Sequence, residues 1–173
     1  MVADADLLFN AHRDGVFRYL SRIVGQGDAS ELTQDVFLRV ARGPLPPADG
    51  GGRRAWIFSI ARNLALNHVR DDRRRGVGVT LAERPAPATQ ELRAALTEAL
   101  ERLAPLDRDV FLMREASGLT YDEIAAACEL SADAVRSRLH RARLQLRASL
   151  DRPMRDGSVP TVRLYDRTRS DGS

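Results

Sequence analysis

Apolar residues recur every three or four positions through most of this chain and do not alternate with polar ones over any strand-length run. That periodicity predicts helices and no sheet. A first helix is expected over 5–24, with Leu8, Phe17, Leu20 and Val24 among its apolar positions, ending near Gly25. Asp28, with Glu31 at capping-box distance, is placed to start a second helix running to about Arg42, whose stripe is Leu32, Val36 and Val40. The run 43–52, rich in Pro and Gly, cannot continue a helix and reads as a loop. A third helix over 53–75 turns Ile57, Ile60 and Leu64 inward. Asn63 then lies about 60° beyond their mean direction, at the edge of the buried stripe.

Residues 76–90 have the Gly, Pro and Ala content of a linker. Helices at about 91–103 and 106–116 follow, and the tail 151–173 has little periodicity and is expected to be flexible. The fold class is therefore all-α: two small helical domains, residues 1–75 and 91–150, joined by a flexible linker.

The segment 119–147 is more specific. Thr120 is a good N-cap, Glu123 completes a capping box, and Leu119 and Ile124 are spaced as a hydrophobic staple. Ser131 starts a second helix with Leu130 and Val135 at the same spacing. Two capped starts eleven residues apart leave room for a two-turn helix and a tight corner, the helix-turn-helix layout. Val135, Leu139, Ala142 and Leu146 form one apolar stripe of the second helix, and Asp133, Arg136, Ser137, His140, Arg141 and Leu144 fall opposite it. Such a face offers donors to base edges and phosphates. Glu129 stands at the corner where Gly would be favoured. A left-handed backbone there costs a Glu about 1 kcal/mol, which the motif tolerates.

Charge sharpens this picture. The chain has 27 basic and 24 acidic residues, and every basic residue is Arg. Residues 53–76 carry +5 and 131–150 carry +4, while 91–130 between them carry −5. Two separated basic segments suit two contacts with a polyanion, and Arg suits bidentate recognition of phosphate and guanine.

Other chemistry is not suggested. The lone Cys128 excludes an internal disulfide, fits a reducing cytoplasm, and reads as a small core residue. No apolar run reaches the length of a membrane span, and the N-terminus lacks the basic start of a signal peptide, so a cytoplasmic location without membrane insertion is expected. There is no His/Cys cluster with metal spacing, no phosphate-binding glycine loop and no nucleophile elbow. No metal, no cofactor and no enzymatic activity are expected. His12 and His68 show no partner pattern and read as ordinary surface or packing residues.

At this point the chain resembles the small two-domain sigma factors of bacterial RNA polymerase, the extracytoplasmic-function type, over about residues 7–150. Asp28-Ala-Ser-Glu-Leu-Thr-Gln-Asp-Val-Phe-Leu-Arg-Val is similar to the family's region 2.2. Arg54-Ala-Trp-Ile-Phe-Ser-Ile-Ala-Arg-Asn-Leu-Ala-Leu-Asn-His-Val-Arg is similar to regions 2.3 and 2.4. Leu103 to Arg114 and the helix-turn-helix with His140-Arg-Ala-Arg are similar to region 4.

The resemblance implies that Glu31, Gln34 and Asp35 dock on the clamp helices of the polymerase's largest subunit, with the β-subunit flap as a further contact. It implies that Asn63 helps hold a flipped base of the −10 element and that Asn67, Arg70, Arg73 and Arg74 extend that surface to phosphates. Trp56 stacks on an unpaired base or packs in the core; its neighbours Ile57 and Ile60 suit the latter. Ser131, Asp133, Arg136, Ser137, His140 and Arg141 fall to the −35 element. The loop 43–52 departs from the family pattern in lacking an aromatic near its end, and the tail lies beyond the resemblance. The implied protein is a promoter-specificity subunit whose partners are core polymerase, promoter DNA and the anti-sigma factor such proteins often have. The alternative is a stand-alone helix-turn-helix regulator using only 91–150; a third class is a protein-binding adaptor without DNA contacts.

Overall fold

In a computed structural model the chain is described over residues 2–46, 52–75 and 87–151. These residues form α1 (Val2–Val24), α2 (Gln26–Arg42), α3 (Gly52–Arg75), α4 (Pro87–Glu101), α5 (Pro105–Glu115), α6 (Tyr121–Cys128) and α7 (Ala132–Leu150). Among them there is no strand, and no helix is long and apolar enough to cross a membrane. The tail beyond Asp151, most of the linker and the centre of the 43–52 loop lie outside the described residues.

The first three helices pack around Val16, Tyr19, Leu20, Val36, Val40, Ile57, Phe58 and Ala61, each almost wholly buried. Phe9 meets Phe37 edge-on at 5.0 Å, and Tyr19 meets Phe58 at 5.9 Å. One residue joins α1 to α2. Gly25, at φ 86°, makes the reversal, a conformation open to glycine at little cost. The second helix therefore starts at Gln26 and carries no side-chain cap, so Asp28 is not its N-cap as the sequence suggested. Its carboxylate is engaged elsewhere, with His68.

The helices α4 to α7 enclose Leu100, Leu103, Val110, Met113, Leu119, Ile124, Val135 and Leu139. The start of α4 at Pro87 extends into the segment read as linker; Pro suits a first helical turn, where its missing N–H has no helical partner anyway. Cys128 is a buried core thiol 3.7 Å from the Met113 sulfur, and burial pushes its pKa up to about 11.

The two halves touch along a polar seam. Asp109 of α5 is buried and accepts from Tyr19 Oη at 3.2 Å and from Arg62 Nε at 2.9 Å. Burial raises the Asp109 carboxyl above its ordinary range, opposed by the Arg62 guanidinium. Arg18 donates to the Ala116 carbonyl at 2.9 Å, and Ser117 Oγ to the Gly15 carbonyl at 2.9 Å. Arg54 donates to the Ser117 carbonyl and pairs with Glu123 at 3.4 Å. Periodicity, which sees one helix at a time, gave no sign of this seam.

Candidate nucleic-acid interface

The helix-turn-helix is assembled by short-range capping. Glu123 N–H donates to Thr120 Oγ1 at 3.2 Å, while Thr120 N–H donates to Glu123 Oε2 at 2.7 Å, completing the box expected from sequence. Glu123 thus caps α6 and binds Arg54 across the seam with the same oxygen. The corner residue Glu129 has φ 56° and ψ 46°, left-handed, and Leu130 N–H closes onto the Ala125 carbonyl at 2.8 Å. Ser131 Oγ then accepts from Ala134 N–H at 3.1 Å and starts α7.

Val135, Leu139, Ala142 and Leu146 are buried, as their spacing requires. Asp133, Arg136, Ser137, His140, Arg141 and Leu144 are all exposed. Two of the arginines have partners within the fold. Arg136 donates to Asp133, one turn back. Arg141 reaches Asp107 at the start of α5, with Nη2 3.2 Å from Oδ1, and Arg138 reaches the same oxygen at 2.7 Å. Asp107 is 4% exposed, so it anchors α7 on α5 from below the exposed face.

On α3 the buried face is Ala55, Ile57, Phe58, Ala61, Leu64 and Ala65. Ile60, expected inside, is only half-buried, and this re-centres the face on Ala61. Asn63 consequently lies about 160° around the helix from Ala61 at 100° per residue. It is fully on the exposed side, not at the boundary as the sequence suggested. Trp56, Asn63, Asn67, Arg70 and Arg74 fall within about 60° of one another on the same helix. They form one stripe running from a half-buried indole through two exposed amides to exposed guanidiniums. Arg70 donates to Asn67 Oδ1 at 3.4 Å within it. Arg73 stands about 90° off its centre. Together with Arg70, Arg74 and Arg108 it lines a cleft of about 400 Å³ between the two halves. Trp56 packs against the core with part of its ring left accessible.

A third face lies on α2. Glu31 and Gln34 are exposed and Asp35 is half-exposed. Leu38, which sequence reasoning passed over, is 49% exposed and falls between them on the helix surface. Its helical spacing places it on the same face as Glu31, Gln34 and Asp35. His68 is a further correction. Read from sequence as a surface or packing residue without a partner pattern, it is half-buried and does have partners, its Nε2 lying 3.1 Å from both Asp28 Oδ2 and Asp72 Oδ2. His12 is half-buried near the seam, where burial and then Arg54 lower its pKa.

Fold and faces together define a two-part helical protein with a helix-turn-helix in one part and an amide- and arginine-lined stripe in the other. Residues 8–75 match the sigma-70 region 2 family and residues 93–146 match sigma-70 region 4. The ECF RNA polymerase sigma factor SigE of Mycolicibacterium smegmatis is 36% identical over 157 residues, covering 82% of this chain and 60% of SigE. A probable RNA polymerase sigma-C factor of Mycobacterium bovis is 31% identical over 155 residues, covering 84% of this chain and 83% of that protein. The chain thus spans less than two thirds of SigE but most of sigma-C. In fold it is similar to the sigma factor RpoE of Bartonella quintana, solved with the anti-sigma factor NepR, at TM-score 0.70 and 24% identity over 85% of this chain and 96% of that one. It is also similar to CnrH, solved with the cytosolic domain of CnrY, at TM-score 0.66 and 24% identity over 87% of this chain and 90% of that one. The chain belongs to the extracytoplasmic-function sigma factors.

Proposed function

We propose that this chain directs core RNA polymerase to specific promoters and initiates transcription there, without catalysing a reaction itself. The observation that carries this reading is the α3 stripe. A regulator that only bound duplex DNA through its helix-turn-helix has no use for Trp56, Asn63, Asn67, Arg70 and Arg74 aligned on a separate helix. Stacking of an unpaired base on an aromatic ring contributes about 1–3 kcal/mol, amides read base edges, and guanidiniums hold phosphates. That sequence of groups suits the melted −10 strand. The exposed face of α7, with Arg136, Ser137, His140 and Arg141, serves the −35 element in duplex form.

The α2 face serves the polymerase. Leu38 at its centre with Glu31, Gln34 and Asp35 around it has the apolar middle and polar rim of a protein interface. Acidic groups there steer association with the basic clamp helices of the largest subunit. The helix-turn-helix half meets the β-subunit flap, and an anti-sigma factor competes for these surfaces. The protein acts in the cytoplasm, where the polymerase is. Two weak DNA contacts gain from each other only when a third body fixes their spacing, so the free protein binds promoters weakly. The test is competition for core enzyme by Gln34→Ala combined with Asp35→Arg. This double variant is expected to lose to wild type by tenfold or more while keeping its melting temperature. Equal competition would leave the α2 face as ordinary solvated surface.

A further inference from the structure

The region where α2 starts and α3 ends holds a cluster that neither DNA nor polymerase contact uses. Asp28 lies in the first turn of α2, and His68 and Asp72 lie one turn apart on α3. The His68 Nε2 is 3.1 Å from Asp28 Oδ2 and 3.1 Å from Asp72 Oδ2, and the three atoms lie within 4.8 Å of one another. A ring nitrogen carries at most one hydrogen, so two carboxylate oxygens converging on it at equal distance are poorly served by hydrogen bonding alone. One cation serves all three. With metal–N and metal–O bonds of about 2.0–2.2 Å, donors around a shared ion stand about 3–3.5 Å apart, the separation found between His68 Nε2 and each of the two carboxylate oxygens.

The surroundings agree with this assignment. The second oxygen of Asp72, Oδ1, accepts from Arg75 Nη2 at 2.9 Å, which fixes the carboxylate and leaves Oδ2 turned to the imidazole. The triad opens into a cleft of about 390 Å³ that Glu31 also lines, so the cleft is acidic and has room for water on the remaining coordination positions. His68 and Asp72 are 21% and 14% exposed, enough shelter to hold an ion and enough opening to admit one.

We propose that Asp28, His68 and Asp72 form a binding site for one divalent transition-metal ion. One imidazole with two carboxylates favours zinc, cobalt, nickel or iron over magnesium or calcium, which prefer all-oxygen sites. The bound ion cross-links α2 to α3. Because it binds the folded chain, it raises the melting temperature in proportion to the logarithm of its concentration.

The experiment uses the full chain, stripped with chelator, without polymerase or DNA, so its outcome is independent of the transcriptional reading. Zinc is titrated calorimetrically, and cobalt by visible absorption. The expected result is one equivalent bound, with affinity weakened at least tenfold in His68→Gln and in Asp72→Asn. His12→Gln, which alters a histidine outside the cluster, is expected to bind as wild type does. Asp28→Asn, at an exposed first-turn position, gives the same loss should the α3 variants fail to fold. Absence of stoichiometric binding, or binding untouched by the Asp28, His68 and Asp72 substitutions, overturns the proposal.

Discussion

Arg141 of the exposed α7 face is held from beneath by Asp107, its Nη2 3.2 Å and its Nε 3.3 Å from the two carboxylate oxygens. A residue expected to read DNA is therefore also tied to the frame of its own domain. Arg141 is 55% exposed, so its share of the pair contributes little stability; Arg138, at 27%, depends more on the same carboxylate. Asp107→Ala removes the one carboxylate that both arginines share and leaves the Arg138 guanidinium partly buried without its counter-ion. Stability is expected to fall by about 2 kcal/mol in urea unfolding. A change within about 0.5 kcal/mol, the range of ordinary surface substitutions, would show that α7 does not depend on this anchor.

Arg136, the other arginine proposed to read DNA, is the freer of the two. Its only described partner is Asp133, which is 88% exposed, and such a pair is easily given up for a base edge. Arg136→Ala is expected to weaken binding of a −35 duplex by about 1–3 kcal/mol if the side chain grips a guanine. Titration by fluorescence anisotropy at fixed salt checks this, with circular dichroism confirming the fold. Unchanged affinity would remove Arg136 from the interface.

Asn63 stands on the exposed side of α3, opposite Ala61. Its replacement by Ala strands no buried partner, so stability should stay within about 0.5 kcal/mol of wild type. Capture of a single-stranded −10 fragment by the polymerase complex should nevertheless fall, with polymerase binding retained. Normal fragment capture would mean that the α3 stripe is not a base-reading surface.

Acid should loosen the seam. The ordinary pKa of His12 is 6.5, and in the fold burial, with Arg54 adding to it, lowers that value. The unfolded chain therefore takes up this proton first as pH falls. The neutral imidazole's contribution is complete above 6.5 and is lost as pH drops from there toward the folded value. Melting temperatures at about pH 7.5 and pH 5.5 should differ more in wild type than in His12→Gln, which cannot titrate. An equal drop in both proteins would assign the acid sensitivity to other groups.

What could be read from the sequence was what local chemistry decides. The Thr120–Glu123 box, the Ser131 cap, the left-handed Glu129 and the Val135–Leu139–Ala142–Leu146 stripe each depend on residues within four positions, and each formed as its spacing required. Contacts between distant residues were beyond that reach. Nothing in the local pattern ties Asp28 to His68, 40 residues away, or Tyr19 to Asp109, 90 away. One error came from inside a helix. Counting Ile60 as core turned the α3 stripe, and Asn63 with it, toward the interior. Leu38 was not singled out: helical spacing sets it beside Glu31, Gln34 and Asp35, but the exposure of an apolar side chain is decided by the packing of neighbouring helices.

The most direct measurement is run-off transcription with core polymerase on genomic fragments, with and without this protein. The account predicts discrete transcripts that appear only when the protein is added and that are lost with Asn63→Ala and with the Gln34→Ala, Asp35→Arg double variant. If the protein binds the same fragments but yields no transcript beyond the core-enzyme background, the central claim fails and the chain is a duplex-binding regulator.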